Sequence, residues 1–266
     1  KGFHLESEDA VAKSPQKNSA DTQLNVVIPI MPRTSNHTDW DALRLHPNVQ
    51  VTLVGGNEPI PPADLVIFPG SKSVQSDLAF LRLEGWEDYL SKHLRYGGKV
   101  IGICGGFQML GEQLLDPLGL ENQHANTQSQ GFGFIPMETV LEKDKQLKQR
   151  QGTLSFGEQI AKVTGYEIHS GVSRFSTPTN HFATLEKGEK EGFISEDNHI
   201  IGTYLHGIFD HPEALKTLLN WAGVKQGQDF DYDQHRNSEI NRLADSTEQH
   251  MNIDALIKQC QEFSSR

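Results

Sequence analysis

The sequence contains little of what marks a secreted, membrane-spanning or nucleic-acid-binding protein. Its 266 residues include two cysteines, too few for a disulfide framework. Lys and Arg total 24 against 35 Asp and Glu, and the net charge of -11 disfavours nucleic acids and anionic membranes as partners. No apolar run approaches the roughly 20 residues that span a bilayer. We therefore expect a protein of the reducing cytoplasm that has neither kind of partner.

The first 22 residues lack both apolar periodicity and the apolar centre of a signal peptide. They are rich in Ser, Lys, Asp, Gln and Ala, and the chain begins without Met. This composition is typical of a linker or tail. We expect residues 1–22 to be a linker that follows a missing N-terminal domain, and residues 23–266 to form one domain that includes the C-terminal helices.

Short apolar runs in the first half predict buried parallel strands, at residues 24–31, 49–54, 63–70 and 99–104. Helical patterns separate these runs, at residues 38–46, 73–83 and 85–96. This alternation predicts an α/β fold with a doubly wound, mostly parallel sheet flanked by helices. Such sheets bind their ligands at the carboxyl ends of the strands.

The second half is richer in predicted strands, which lie within residues 131–142, 161–171, 181–186, 191–196 and 199–206. Two helical patterns close the chain, at residues 212–223 and 239–260. We therefore expect a strand-rich second half that ends in helices.

Cys104 lies where the predicted strand 99–104 meets a predicted helix at 105–114. The surrounding pattern, Gly102-Ile103-Cys104-Gly105-Gly106, is that of a sharp strand-to-helix turn that presents a nucleophile. Glycines two residues before and after the nucleophile leave room for so tight a turn. A helix N-terminus also favours the thiolate, which is the reactive form of cysteine.

The same turn predicts how a developing oxyanion would be held. The Gly105 N–H would supply one donor, and backbone near Gly70, at the end of the neighbouring strand, would supply the second. The alternative is that Cys104 is a small buried residue in the glycine-rich turn of a ligand-binding fold. Cys260, in the last predicted helix, is interpreted as a packing or surface residue.

A cysteine nucleophile needs a base, and twelve histidines compete for this role. His206 fits best, because it ends a predicted strand and Gly207 leaves space behind it. The residue two positions later is Ile208, which is not an acid. The group that orients His206 is therefore left open, with Asp210 and Glu167 as candidates.

His211 offers a competing pattern, because His211-Pro212-Glu213 spells the His-x-Glu pair of ordinary cysteine-triad amidotransferases. We interpret this segment as a helix start, with Asp210 as the N-cap and Pro212 in the first turn.

The segment "GSKS" (70–73) resembles a phosphate-binding loop but fails its spacing. Leu65 stands in place of the first glycine, and Ser71 separates Gly70 from Lys72. No His and Cys spacing suits a metal either. We expect neither a cofactor nor a metal in this chain.

Three segments, "GICGGFQMLG", "GYEIHSG" and "GTYLHGIFD", resemble the glutamine amidotransferase domain of the cobyrinic and cobyric acid amidating enzymes. The segments "PRTSNHTDWDALRL" and "ADLVIFPGSKSVQSDLAFLRLEGW" resemble the cobyric acid synthases more narrowly. The resemblance covers about residues 24–260 and implies a flavodoxin-like class I amidotransferase fold. Glu167 and His169 match a family motif, for which the residues themselves suggest no role.

The resemblance implies that Cys104 is the nucleophile and His206 its partner. It also implies that the usual acidic third member is absent, which agrees with Ile208. Gln108, one helical turn after Cys104, matches a position that helps to hold substrate glutamine in related amidotransferases.

In the same family the glutaminase half follows an ATP-using synthetase half. The resemblance therefore implies that ATP and magnesium act only in a missing N-terminal synthetase domain of the same polypeptide. Ammonia from glutamine would amidate the b, d, e and g carboxylates of adenosylcobyrinic acid a,c-diamide, a corrinoid of cobalamin biosynthesis. The alternatives are a glutaminase subunit that serves a cell-wall lipid precursor ligase, and a non-catalytic binding module.

Overall fold

The computed structural model describes residues 21–121, 124–156, 159–225 and 227–264. The predicted linker, apart from its last two residues, lies outside this described part. The strands are β1 (Leu24–Pro29), β2 (Thr34–Ser35), β3 (Val49–Val54), β4 (Leu65–Phe68), β5 (Gly70–Ser71), β6 (Lys99–Ile103), β7 (Gln113–Asp116), β8 (Thr127–Gln130), β9 (Met137–Phe156), β10 (Gln159–Phe175), β11 (Ala183–Leu185), β12 (Lys190–Glu191), β13 (Phe193–Ile194), β14 (Ile200–Thr203) and β15 (Leu205–His206).

The helices are α1 (Asp41–Leu45), α2 (Val74–Leu83), α3 (Trp86–Arg95), α4 (Gly105–Leu110), α5 (Pro212–Ala222), α6 (Tyr232–His250) and α7 (Ile253–Ser264). Two short 3-10 helices cover His37–Trp40 and Glu186–Gly188.

The central sheet has six strands in the order β13-β14-β6-β4-β1-β3. All neighbours pair in parallel except β13, which is antiparallel to β14. The four strands predicted in the first half are all present, and β3 has the predicted bounds. The expected doubly wound, mostly parallel α/β sheet is therefore confirmed.

Both faces of this sheet are buried, as continuous apolar strands require. In β4, Leu65 and Ile67 face one hydrophobic cluster, and Val66 and Phe68 face the other. Helix α5 covers the first face, whereas α2, α3 and α4 cover the second. The period of two along each strand thus places helices on both sides.

The first-half helices agree with their predicted positions, with two differences. Segment 38–46 divides into a 3-10 turn, His37–Trp40, followed by α1. The helix expected over 105–114 ends at Leu110. There the backbone of Gly111 becomes extended and the Glu112 N–H donates to the Met137 carbonyl at 2.7 Å. The chain then continues as β7, because a strand partner replaces the next helical turn.

The second half is strand-rich, as expected, but it is built around one long antiparallel hairpin of β9 and β10. The strand predicted within 131–142 begins only at Met137 and continues to Phe156. Residues 143–156 were not predicted as a strand, because they contain few apolar residues to show a buried face. The predicted strand 199–206 divides into β14, in the central sheet, and β15, which pairs with β10.

Helix α5 lies where it was predicted, but its N-cap is His211 and not Asp210. The His211 ring accepts a hydrogen bond from the Glu213 N–H, a role expected of the Asp210 carboxylate. The final helix begins earlier than predicted, because Asp231 caps α6. It is interrupted after His250, where Asn252 caps α7. None of the helices within the described ranges is both long and apolar enough to cross a bilayer.

Candidate active site

Cys104 occupies the sharp turn between β6 and α4. Its backbone has φ 51° and ψ -108°, a conformation that non-glycine residues rarely adopt. The turn is held on both sides: the Cys104 N–H donates to the Thr203 carbonyl at 2.8 Å, and the Gln108 N–H donates to the Cys104 carbonyl at 3.1 Å. Strain of this kind costs about 1–3 kcal/mol and is concentrated at functional sites.

The glycines that flank Cys104 are required by packing. A Cβ on Gly102 would lie 2.7 Å from Leu110 Cδ1 and 2.8 Å from the Gly106 carbonyl oxygen. A Cβ on Gly106 would lie 2.1 Å from the carbonyl oxygen of Phe68. Both contacts involve the turn itself or the neighbouring strand β4, so neither position accepts a side chain without movement of the backbone.

The Cys104 side chain is covered by the long hairpin. It is 7% exposed, and its thiol donates to the Ile168 carbonyl of β10 at 3.5 Å. Cys260 is exposed on α7. The two cysteines therefore differ sharply in their surroundings, and the nucleophile candidate is the buried one.

His206 is fully buried at the end of β15. Its Nδ1 lies 2.7 Å from Oδ2 of Asp39, and the other oxygen of the same carboxylate accepts from the Gly207 N–H at 3.0 Å. The Tyr166 ring stacks on the imidazole with a centroid distance of 5.1 Å. The Nε2 atom makes no hydrogen bond within the described residues.

The charge of Asp39 decides the protonation of His206. Burial by itself lowers the imidazole pKa, but the interactions with Asp39 and with the Cys104 side chain together outweigh it, so the pKa is raised to about 10. Contact with Asp39 therefore favours the protonated form of His206. With Nδ1 engaged by Asp39, Nε2 is the ring nitrogen left for proton exchange with a reacting group.

The two acids considered at the sequence level occupy other positions. Glu167 follows Tyr166 on β10 and forms an ion pair with Arg150 at 3.1 Å. Because successive strand residues face opposite sides, its side chain points away from the His206 ring. Asp210 lies beside Gly207, where an added Cβ would come within 2.8 Å of Asp210 Oδ2.

Asp39 was missed at the sequence level because residues 38–46 were interpreted simply as a helix. A usable signal was present. Asp39 lies in the 3-10 turn of the connection that leaves β1, Cys104 directly follows β6, and the carboxyl ends of parallel strands share one edge of a sheet. The carboxylate that contacts the His206 ring thus comes from residue 39 and not from position 208.

The two backbone segments expected to hold an oxyanion lie next to each other. A Cβ on Gly105 would lie 2.8 Å from the backbone nitrogen of Ser71, which follows Gly70. A Cβ on Gly70 would lie 3.3 Å from Cε1 of His206. The structure thus brings both predicted segments to the nucleophile and the base, whereas their role in binding an oxyanion stays a prediction.

Gln108 is buried beneath the nucleophile, on the side of the hairpin. Its amide donates to the Tyr204 hydroxyl at 3.2 Å, which in turn shares a 2.5 Å hydrogen bond with Ser173. The His169 ring stacks on Tyr204 with a centroid distance of 3.9 Å. The motif residue His169 therefore belongs to a packed polar cluster behind Cys104, and a contact of Gln108 with glutamine stays a prediction.

The competing pair, His211 and Glu213, serves the start of α5. The His211 ring caps this helix, and the Glu213 carboxylate accepts from the Lys162 N–H at 3.1 Å. The interpretation of this segment as a helix start is confirmed. Within the described ranges, no three His, Cys, Asp or Glu side chains gather in a way that could hold a metal.

Solved structures share this fold at low sequence identity. PurLQS from Thermotoga maritima is 16% identical with a TM-score of 0.54, over 83% of this chain and 99% of that chain. A glutamine amidotransferase structure is also 16% identical with a TM-score of 0.51, over 75% of this chain and 99% of that chain. At such identities the likeness concerns the fold alone.

Curated relatives are much closer in sequence. Cobyric acid synthase of a Marinomonas species is 77% identical over 271 residues, which cover 99% of this chain and 54% of the relative. Cobyric acid synthase of Photobacterium profundum is 50% identical over 256 residues, which cover 96% of this chain and 51% of the relative. The chain spans about half the length of these relatives.

The family profile of the CobB/CobQ-like glutamine amidotransferase domain matches residues 25–214. This match covers most of the chain and includes the turn at Cys104, the base candidate His206 and the carboxylate of Asp39. The chain therefore belongs to the CobB/CobQ-like glutamine amidotransferase domain family.

Proposed function

We propose that this chain is the glutamine-hydrolysing half of a cobyric acid synthase. It would supply ammonia for the ATP-dependent amidation of the b, d, e and g carboxylates of adenosylcobyrinic acid a,c-diamide. The observation that carries the proposal is the strained positive φ of Cys104 beside the buried His206, whose Nδ1 contacts Asp39 at 2.7 Å. The two relatives named cobyric acid synthase support the choice of pathway.

The first half-reaction releases ammonia. The Cys104 thiolate attacks the side-chain carbonyl carbon of glutamine, and the carbonyl π electrons move onto oxygen. When the tetrahedral intermediate collapses, the C–N bond breaks and the departing nitrogen takes the Nε2 proton of His206. Ammonia leaves, and a γ-glutamyl thioester remains on Cys104.

The second half-reaction restores the enzyme. Neutral His206 accepts a proton from water at Nε2 while the water oxygen attacks the thioester carbonyl. The C–S bond then breaks, glutamate leaves, and Cys104 is again a thiolate beside an imidazolium. In both tetrahedral intermediates the negative oxygen would be held by backbone N–H groups near Gly105 and Gly70.

The remaining chemistry belongs to the half of the relatives that this chain does not span. We assign ATP, magnesium and the corrinoid substrate to an N-terminal synthetase domain joined through residues 1–22, with residues 23–266 as the amidotransferase domain. We also place the enzyme in the cytoplasm, without nucleic-acid or membrane partners, because its acidic charge and reduced cysteines suit that setting.

Two alternatives remain as outcomes of the tests. A glutaminase subunit for a cell-wall lipid precursor would contain the same Cys104 turn, but the 77% identity to a cobyric acid synthase favours the corrinoid enzyme. A non-catalytic binding module would have no need of a strained cysteine next to a charged buried histidine.

The decisive experiment is active-site labelling of the full-length protein with a glutamine-like diazo-ketone, followed by peptide mass spectrometry. We expect an adduct on Cys104, slowed by excess glutamine, and none on Cys260. Iodoacetamide serves as the control, because a small unselective reagent should modify the exposed Cys260 first. Diazo-ketone labelling of Cys260 alone would overturn the site.

A substrate test separates the corrinoid from the cell-wall reaction. The full-length protein is given glutamine, ATP, magnesium and either adenosylcobyrinic acid a,c-diamide or a cell-wall lipid precursor. We expect mass spectrometry to show four carboxyl groups of the corrinoid converted to amides. Amidation of the lipid precursor instead would support the alternative.

A further inference from the structure

We infer that Asp39 is the positioning residue of this site, which fixes the orientation and tautomer of His206 and stabilises its positive charge during the reaction. The inference rests on the proposed glutaminase function and adds a third member to the Cys104–His206 pair. It also departs from the expectation, implied by the family resemblance, that this site has no acidic third member.

The first argument is that both carboxylate oxygens of Asp39 bind the segment that carries the base. Oδ2 lies 2.7 Å from His206 Nδ1, and Oδ1 accepts from the Gly207 N–H at 3.0 Å. Asp39 is 2% exposed, so its charge is desolvated. A buried carboxylate is tolerated when it is paired and hydrogen-bonded, and this one has both kinds of partner at the base.

The second argument concerns the ring itself. Because Nδ1 donates to Asp39, Nε2 is the atom that can exchange a proton with the substrate, and it has no competing partner within the described residues. The Tyr166 ring stacks on one face of the imidazole. The Tyr166 hydroxyl accepts from the Asn36 side chain at 2.8 Å. The short segment from Asn36 to Asp39 thus contacts the His206 ring through Asp39 and the stacked Tyr166 through Asn36.

The third argument is that the usual position of the acid, two residues after the base, is occupied by a buried apolar side chain. Ile208, two residues after the base, is fully buried and belongs to the hydrophobic cluster beneath the central sheet. An acid at that position would place an unpaired charge in the core. Asp39 contacts the same imidazole from the 3-10 turn of the connection that follows β1. This turn lies at the edge of the central sheet that also carries Cys104.

Several titratable groups surround His206 and bear on its charge. Asp39 and Cys104 raise its pKa, and burial lowers it. The neighbouring His169 has a lowered pKa, chiefly through burial, with His206 as one smaller cause. The Tyr166 ring faces the imidazole. Burial is the chief cause that raises the pKa of Tyr166 to about 12, and the charge of Asp210 is a smaller cause that also raises it. Of these groups, Asp39 is the one in direct contact with Nδ1.

The test uses the full-length enzyme and Asp39→Asn, which keeps the shape of the side chain and removes its charge. We expect kcat for glutamine-dependent amidation to fall by about 10⁴, the size of loss seen when the acid of a nucleophile–histidine–acid triad is removed. KM for glutamine should stay within about threefold, because Asp39 would not touch the substrate. Ammonium-dependent amidation should be unchanged, which a general loss of fold would not allow.

Two control variants separate Asp39 from its neighbours. Asp41→Asn changes a buried acid of the same segment that contacts Arg44, at 3.3 Å, and should leave glutamine-dependent kcat within about twofold. Asp210→Asn changes the rival acid and should have a much smaller effect than Asp39→Asn. A larger loss in Asp210→Asn, or wild-type kcat in Asp39→Asn, would overturn the inference.

A second measurement does not depend on the variant folding. Imidazole nitrogen NMR of the wild-type protein should show His206 protonated on Nδ1 and titrating well above pH 6.5. A His206 ring that carries its proton on Nε2 and leaves Nδ1 bare would overturn the inference. Failure of the proposed function would give a different result. The diazo-ketone would then not label Cys104 of the wild-type protein, whatever the protonation of His206.

Discussion

His206 and Asp39 lie 2.7 Å apart through Nδ1 and Oδ2, although 167 positions separate them in the chain. Four neighbouring strands of the central sheet, in the order β14-β6-β4-β1, explain this meeting. His206 follows β14, Cys104 follows β6, the Gly70 segment follows β4, and Asp39 follows β1. The first three groups lie within three residues of the ends of their strands, and Asp39 lies in the 3-10 turn of the connection that leaves β1, so one edge of the sheet carries the whole site.

The choice between the two histidines can be tested directly. His206→Asn should lower glutamine-dependent kcat by about 10² to 10⁴, the usual contribution of a general acid and base. His211→Asn should change it less than about twofold, because asparagine can also cap α5 by accepting from the Glu213 N–H. Steady-state kinetics of both full-length variants is the measurement, and equal losses would contradict the assignment of the base.

Separation of ammonia production from amidation is tested by Cys104→Ala. The full-length variant should lose glutamine-dependent amidation and keep its rate with added ammonium salt, because the substitution removes only the nucleophile. Cys260→Ala is the matched control and should retain both activities, since that cysteine is exposed and far along the chain on α7. Loss of both activities in Cys104→Ala, with the fold intact by circular dichroism, would refute this division of labour.

The steric demand of the turn predicts a stability effect at Gly106. Gly106→Ala should lower the free energy of unfolding by about 1–3 kcal/mol or more, because its Cβ would lie 2.1 Å from the Phe68 carbonyl oxygen. Gln113→Ala, at an exposed position of β7, should change it by less than about 0.5 kcal/mol. Urea unfolding measures both values, and an unaffected Gly106→Ala variant would show that the turn is looser than described.

Glu191 predicts a pH dependence of stability. This buried carboxyl accepts from the Thr203 hydroxyl and, at 2.7 Å, from the Tyr204 N–H. Burial outweighs these hydrogen bonds and raises its pKa to about 8, from 4.5. A raised pKa means that the folded state binds the proton more tightly. The stabilisation is therefore complete below pH 4.5 and is lost as the pH rises through 8.

Glu191→Gln removes this titration while it keeps an acceptor for Tyr204. Its free energy of unfolding, relative to wild type, should rise between about pH 4.5 and pH 8 in urea titrations. Glu138→Gln, at an exposed position of β9, is the matched control and should show no such change. A relative stability of Glu191→Gln that falls over this range would contradict the prediction.

Two segments differ from their sequence-based predictions because pairing with another strand decides their structure. Residues 143–156 form a strand because β10 pairs with them along the hairpin, although their own composition is too polar to show a buried face. The helix after Cys104 stops at Leu110 because the Met137 carbonyl offers a strand partner to Glu112. Met137 lies 25 positions after Glu112, and the β10 partners of residues 147–156 lie 3 to 21 positions away, so the composition of each segment does not itself contain the pairing.

Local patterns in the sequence predicted the central strands and the sharp turn at Cys104, which the structure contains, and they favoured His206 over His211 as the base. Each of these depends on short-range chemistry: apolar runs, glycine spacing and helix capping act within a few residues. The tertiary structure decided which acid meets the base. Asp39 and His206 become neighbours only through the lateral order of four strands, and that order is set by packing on both faces of the sheet and not by any interaction between residues close in the chain.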